Sequence, residues 1–185
     1  MQLRWSHAVL YVRDVEAMVG FYTEVLGFEV ADRGPLMPAD DSPEIVFLSQ
    51  VPTDHHQLAM LGTRSGDAPS TTLDHMAFRV DSLAQVREMK ERVEKDGRAA
   101  QMPAPVTHGN AWSVYFQDPE GNGIEVFCDS PFHVPQPQIA PWDPSQTDEE
   151  VVTQTRADFQ DKPGFGSFQE YLLGRAEALR RREEG

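Results

Sequence analysis

His7 and His75 stand 68 residues apart, each in second place of a similar apolar segment: Ser6-His7-Ala8-Val9-Leu10-Tyr11-Val12 and Asp74-His75-Met76-Ala77-Phe78-Arg79-Val80. Both segments have the length and apolar content of strands, along which side chains alternate between faces. Leu10 and Val12 then share a face with Ala8 that suits packing on a helix, while His7 points the other way. Met76, Phe78 and Val80 oppose His75 in the same manner. In Gly123-Ile124-Glu125-Val126-Phe127 the apolar face belongs to Ile124 and Val126, and Glu125 lies opposite. An ionised carboxylate is costly to bury unpartnered. Two neutral imidazoles and one carboxylate around a single cation satisfy all three groups, and such a set with open coordination positions is diagnostic of non-haem Fe(II) oxygenases. A lone histidine more often caps a strand edge or bonds within the core; the repetition is what favours a metal. Fe(II) is the expected ion. Mn(II) is the alternative, because it accepts the same donors.

These residues need elements to position them, and the repeat supplies two sets. Asp14 and Ser82, again 68 apart, follow the first strand of each set and are helix-capping types. Val15, Met18, Val19, Tyr22, Val25 and Leu26 recur at helical spacing up to Gly27; Leu83, Val86, Met89 and Val93 do so up to Gly97. Ser82 and Gln85 have the spacing of a capping box. Strands are expected at 28–33, 45–50 and 56–61, then at 98–102, 112–117 and 123–128, with loops at 35–43 and 103–107. The fold class is therefore α+β: two βαβββ modules, about 3–63 and 71–128, whose uncovered sheet faces pair to line an open cleft. Residues 1–128 form the paired-module domain and 129–185 a tail. Five prolines between Pro131 and Pro144 predict an extended strap. Thr147 with Glu150, and Ser167 with Glu170, predict the starts of two short helices. The tail is expected to cover the body or contact another subunit, so a homo-oligomer fits.

Composition narrows the partners. The 185 residues are 39% hydrophobic and 25% charged with a net charge of −14, a surface that repels phosphate backbones and anionic lipid. No nucleic acid and no membrane partner is expected. Cys128 is the single cysteine, which excludes an intrachain disulfide and a cysteine-rich metal site. No apolar run reaches the length of a membrane span and no signal-peptide pattern opens the chain, so a cytoplasmic location is expected. Phosphate-binding, dinucleotide-binding and nucleophile-elbow motifs are absent from the sequence. Cys128 reads as a packing residue at the end of an apolar strand, and Arg180-Arg181-Arg182 as a solvated helix end.

The paired modules, His7, His75 and the run Tyr115-Phe116-Gln117-Asp118-Pro119-Glu120-Gly121-Asn122-Gly123-Ile124-Glu125 resemble the vicinal oxygen chelate superfamily of glyoxalases, extradiol dioxygenases and bleomycin-resistance proteins. The resemblance covers about residues 3–128 and implies that Glu125, like the two histidines, is a metal ligand. His55-His56 resembles the His-His element of type I extradiol dioxygenases, which implies that His56 is the acid and base beside bound oxygen. Tyr115 matches a tyrosine that hydrogen-bonds the ionised substrate, and His108 resembles a further histidine supporting the site. The implied activity is Fe(II)-dependent ring cleavage of a catechol-type aromatic diol by O₂, beside the two hydroxyl-bearing carbons. Two rivals remain. A glyoxalase-like isomerase or epimerase usually needs another acidic ligand, and the strand expected at 56–61 offers only Gln57. A non-catalytic aromatic-ligand-binding or resistance protein commonly lacks the metal set.

Overall fold

The computed structural model describes residues 5–37, 42–66 and 73–183. The chain divides into two compact units. The first comprises the described residues up to Asp74 with Arg92–Gln101 and Gln117–Gly123; the second comprises His75–Glu91, Met102–Phe116 and the rest from Ile124.

In the first unit, β1 (Ala8–Tyr11), α1 (Val15–Glu24), β2 (Glu29–Pro35), β3 (Glu44–Ser49) and β4 (Leu58–Leu61) give a sheet of order β1-β4-β3-β2, with β1 parallel to β4. The Asp14 side chain accepts from the Ala17 amide at 2.9 Å and caps α1. At the other end Gly27 takes φ +79°, and across it the Phe28 amide donates to the Tyr22 carbonyl at 3.0 Å. Between these stops Met18, Phe21 and Tyr22 are fully buried, as are Val46, Leu48 and Met60 of the sheet. Each such apolar side chain contributes about 1.5–3 kcal/mol by leaving water. Leu10 and Val12 are buried while Val9 and Tyr11 are exposed, the alternation that sends His7 to the face opposite the helix.

The Asp118-to-Gly123 turn is built as a latch of the same unit. The fully buried Asp118 carboxylate accepts from the Tyr22 hydroxyl at 3.1 Å, the Asn122 side chain at 2.7 Å, and the Glu120 and Asn122 amides. Burial nonetheless pushes its carboxyl above the ordinary value, and burial raises the Tyr22 phenol as well. Glu120 accepts from the Arg13 and Asp14 amides at 2.6 and 2.9 Å and from the Arg64 guanidinium, tying the turn to the start of α1.

The second unit contains β5 (His75–Arg79), the start of α2 (Leu83–Asp96), β6 (Gln101–Thr107), β7 (Ala111–Gln117) and β8 (Gly123–Asp129). Beyond them come β9 (Phe132–His133), β10 (Ala140–Pro141), α3 (Asp148–Phe159), β11 (Gly166–Ser167) and α4 (Phe168–Glu183). The main sheet runs β10-β6-β7-β8-β5. Three sequence expectations are corrected here. The segment 103–107 is strand rather than loop. β10 pairs with Val106 and Thr107, so the alternate residues Pro103 and Pro105 lie along an edge that is otherwise unpaired among the described residues, where a missing N–H costs no ladder bond. The first module's last strand begins at Leu58, which leaves His56 just before it. Ser82 accepts from the Gln85 amide, but the Gln85 side chain accepts from Asp81 rather than closing the box on Ser82. The centre of the 35–43 loop, at 38–41, and the start of the second module, at 71–72, lie outside the described residues.

The tail is woven into this unit. Trp112 donates to the Thr155 hydroxyl at 2.8 Å, Trp142 donates to the Ser113 carbonyl at 2.9 Å, and Val134, Val151 and Phe159 are buried. Arg87 of α2 donates to the Pro144 and Gln146 carbonyls at 2.9 and 2.8 Å. The capping box at Thr147 and Glu150 forms in both directions. α4 is longer than expected, at 16 residues. The tail also presses on the β6–β7 turn: Gly109 has φ +77°, and a Cβ there would come within 2.5 Å of Val134.

Candidate metal and catalytic site

In the second unit β8 carries Glu125 and β5 begins with His75, and the structure brings their side chains together: His75 Nε2 lies 3.2 Å from Glu125 Oε2. Glu125 is 8% exposed, so its charge needs partners. The other oxygen, Oε1, accepts from the hydroxyl of fully buried Ser113 on β7 at 2.6 Å. Ser113 shares the parity of Tyr115, which is the signal by which the sequence could have revealed it. One carboxylate oxygen is thus held from the sheet while the second faces an imidazole nitrogen, a donor pair that suits a divalent cation accepting nitrogen and carboxylate ligands.

Tyr115 sets its ring edge-on to His75, with centroids 5.4 Å apart at 84°. Its hydroxyl is 3.0 Å from His108 Nε2, and His108 Nδ1 is 2.7 Å from the Gln138 carbonyl in the strap. His108, Tyr115, His75, Glu125 and Ser113 are therefore one linked group. Gln138 was not legible in advance, because it acts through a backbone carbonyl that any residue type would supply.

The first unit holds the other two histidines. His7 precedes β1, and its Nδ1 lies 3.1 Å from the Ser6 hydroxyl. The His7 and His56 rings are 4.3 Å apart, and Phe47 of β3 sets its edge against His56 at 4.9 Å and His55 at 5.5 Å. His55 and His56 share an Nδ1–Nδ1 contact of 3.0 Å, and Asp32 is 3.9 Å from the far nitrogen of His55. Partial burial, then the neighbouring His7 and His55, push His56 below the ordinary imidazole value, which favours its neutral form near neutrality. Gln57, the acid substitute a glyoxalase-like site would call on, uses its side-chain oxygen to accept from the Gln50 amide at 2.9 Å.

Among the described residues, no three His, Cys, Asp or Glu side chains stand together as a metal-binding group; what is assembled is the His75–Glu125 pair in one unit and the His7–His56 pair in the other. No described helix is long and apolar enough to cross a membrane. Cys128 is buried and its thiol is pushed up to about 11, chiefly by burial.

Comparison with known proteins identifies the family. The sequence model of the Glyoxalase/Bleomycin resistance protein/Dioxygenase superfamily matches residues 4–126, and the chain belongs to that superfamily. It is similar to biphenyl-2,3-diol 1,2-dioxygenase 3 of Rhodococcus globerulus, at 30% identity over 69% of this chain and 64% of that protein. The chain thus spans less than two thirds of that relative's length. It is also similar to lactoylglutathione lyase of Salmonella typhimurium, at 28% identity over 67% of this chain and 91% of that one. Among solved structures, the fosfomycin resistance protein FosX of Listeria monocytogenes shares the fold, with a TM-score of 0.57 and 21% identity over 70% of this chain and 96% of that one. The element order, mixed sheets with helices and a C-terminal helix, is an α+β fold consistent with this superfamily.

Proposed function

We propose that the chain is an extradiol dioxygenase that opens a catechol-type aromatic diol with O₂, using Fe(II), with Mn(II) as the alternative ion, held by His7, His75 and Glu125. The observation that carries the reading is the Ser113–Glu125–His75 group with Tyr115 and His108 beside it: a buried carboxylate held by a hydroxyl and facing an imidazole, next to a phenol hydroxyl in contact with a second imidazole. His7 supports it as the repeat counterpart of His75, with His56 against its ring. When bound, the ion supplies a common anchor for the diol oxygens and O₂.

The chain's own residues supply the rest. His56, neutral near pH 7 and outside the proposed ligand set, takes the proton of a substrate hydroxyl and returns it later in the reaction, a transfer suited to an imidazole. Tyr115 orients the substrate by a hydrogen bond at its oxygen, and His108 holds that hydroxyl in place. Ser113 holds Glu125 Oε1 in place by its hydroxyl. The similarity to the biphenyl-2,3-diol dioxygenase supports a diol substrate for this chain. The similarity to lactoylglutathione lyase keeps a glyoxalase-like isomerase as the second reading, and the engaged side chain of Gln57 weighs against it.

Separating ligand from proton carrier tests the assignment. His56→Ala should keep the metal and bind catechol while losing turnover by about 10²–10⁴-fold. His7→Ala, His75→Ala and Glu125→Gln should each lose the metal. A His56→Ala protein that loses the metal as completely as His75→Ala would contradict these roles.

A further inference from the structure

The proline-rich strap does more than cover the second unit. The side-chain amide of Gln136 donates to the His108 carbonyl at 2.7 Å, and its oxygen accepts from the Gln138 amide at 3.0 Å. The Gln138 carbonyl in turn faces His108 Nδ1 at 2.7 Å. Gln136 therefore clasps both ends of one ring of hydrogen bonds, joining the β6–β7 turn to the strap. A carbonyl can only accept, so His108 Nδ1 must carry the proton. A neutral imidazole protonated at Nδ1 has a bare Nε2, and that nitrogen must accept the Tyr115 hydroxyl proton across 3.0 Å. The direction of each bond from the strap to Tyr115 follows from the one carbonyl.

We propose that Gln136 and the Gln138 carbonyl are positioning groups, which lock His108 in its Nδ1–H form and turn the Tyr115 hydroxyl proton toward His108. The Tyr115 hydroxyl is thereby held in one orientation toward His108. The catalytic consequence rests on the proposed dioxygenase reading; the hydrogen-bond assignment does not. Neither glutamine touches the reacting atoms; the Gln136 amide also donates to the Val134 carbonyl at 3.2 Å, but the Val134 amide is held by the Asn110 side chain at 2.7 Å and Trp142 by the Ser113 carbonyl at 2.9 Å, both without Gln136. A strap variant is thus expected to fold.

The test uses the full chain labelled with ¹⁵N-histidine and long-range ¹H–¹⁵N correlation, which reads the tautomer of each imidazole without turnover. Wild-type His108 should show a single Nδ1–H form. Gln136→Met keeps the side-chain length but removes both clasp bonds and the bond to the Val134 carbonyl, and should give His108 a mixture or the Nε2–H form. Gln136→Glu keeps the acceptor for Gln138 and loses the donor to His108, so it should move the same signals in the same direction and serves if the Met variant folds poorly. On Fe(II)-loaded protein, Gln136→Met should lower kcat/KM for a diol by about 3- to 10-fold, the scale of one neutral hydrogen bond. An Nε2–H form in the wild type, or a His108 signal unmoved in both variants, would overturn the inference. A tautomer shift in variants of a protein whose wild type opens no diol would leave the positioning assignment standing and remove the dioxygenase reading.

Discussion

Ser113→Ala removes one hydroxyl from the floor of the proposed site, and its effect can be worked from the geometry. The lost bond is a 2.6 Å donation to a carboxylate that is 8% exposed, with little solvent to replace it. Hydrogen bonds to charged groups contribute about 1.5–3 kcal/mol. For a chain of this size that corresponds to a melting temperature lower by roughly 3–12 °C, at about 2–4 °C per kcal/mol. If Glu125 also binds a metal, the same hydroxyl is a supporting partner of a ligand, and losing such a partner costs about 10- to 100-fold in metal affinity. The assay is thermal melting of the metal-free protein alongside anaerobic Fe(II) titration by calorimetry, for wild type and variant. Ser113→Thr, which restores a hydroxyl, should recover part of both effects. A variant that melts with wild type and binds metal equally would refute the reasoning that this carboxylate depends on Ser113.

Two further outcomes follow from other buried groups. Tyr22→Phe deletes the hydroxyl that donates to the Asp118 carboxylate at 3.1 Å in a fully buried setting, and should cost about 1–3 kcal/mol in urea unfolding; an unchanged midpoint would show that the Asp118 latch is held without it. Cys128, with its thiol pushed up to about 11, should be a thiolate at about 0.1% at pH 8 and resist a disulfide reagent in the native protein while reacting fully in guanidinium; prompt native reaction would contradict its burial.

The parts of this molecule that were legible in its sequence are those encoded in residue type and spacing. The 68-residue repeat announced two βαβββ modules, Asp14 and Gly27 bounded α1, and strand parity placed Glu125 opposite Ile124 and Val126. The paths through Pro103 and Pro105 were not legible. Proline ordinarily marks a loop, and only the neighbour relations of β6 reveal that those positions face an unpaired edge. The tail's prolines correctly suggested a strap, but its Trp142 and Thr155 contacts depend on three-dimensional packing that no local pattern encodes. Within the proposed site, His75, Tyr115 and His108 are candidates by type that the structure sets near one another, whereas Ser113 needed its parity to be weighed and Gln138 contributes its backbone carbonyl.

The most direct measurement of the account is oxygen consumption by the anaerobically Fe(II)-loaded chain given a panel of monocyclic and bicyclic catechols. At least one member should consume one O₂ per diol, and mass spectrometry with ¹⁸O₂ should find both atoms in a coloured ring-opened product cleaved beside the hydroxyl-bearing carbons. Full iron occupancy and demonstrated catechol binding, with no oxygen uptake from any member, would contradict it.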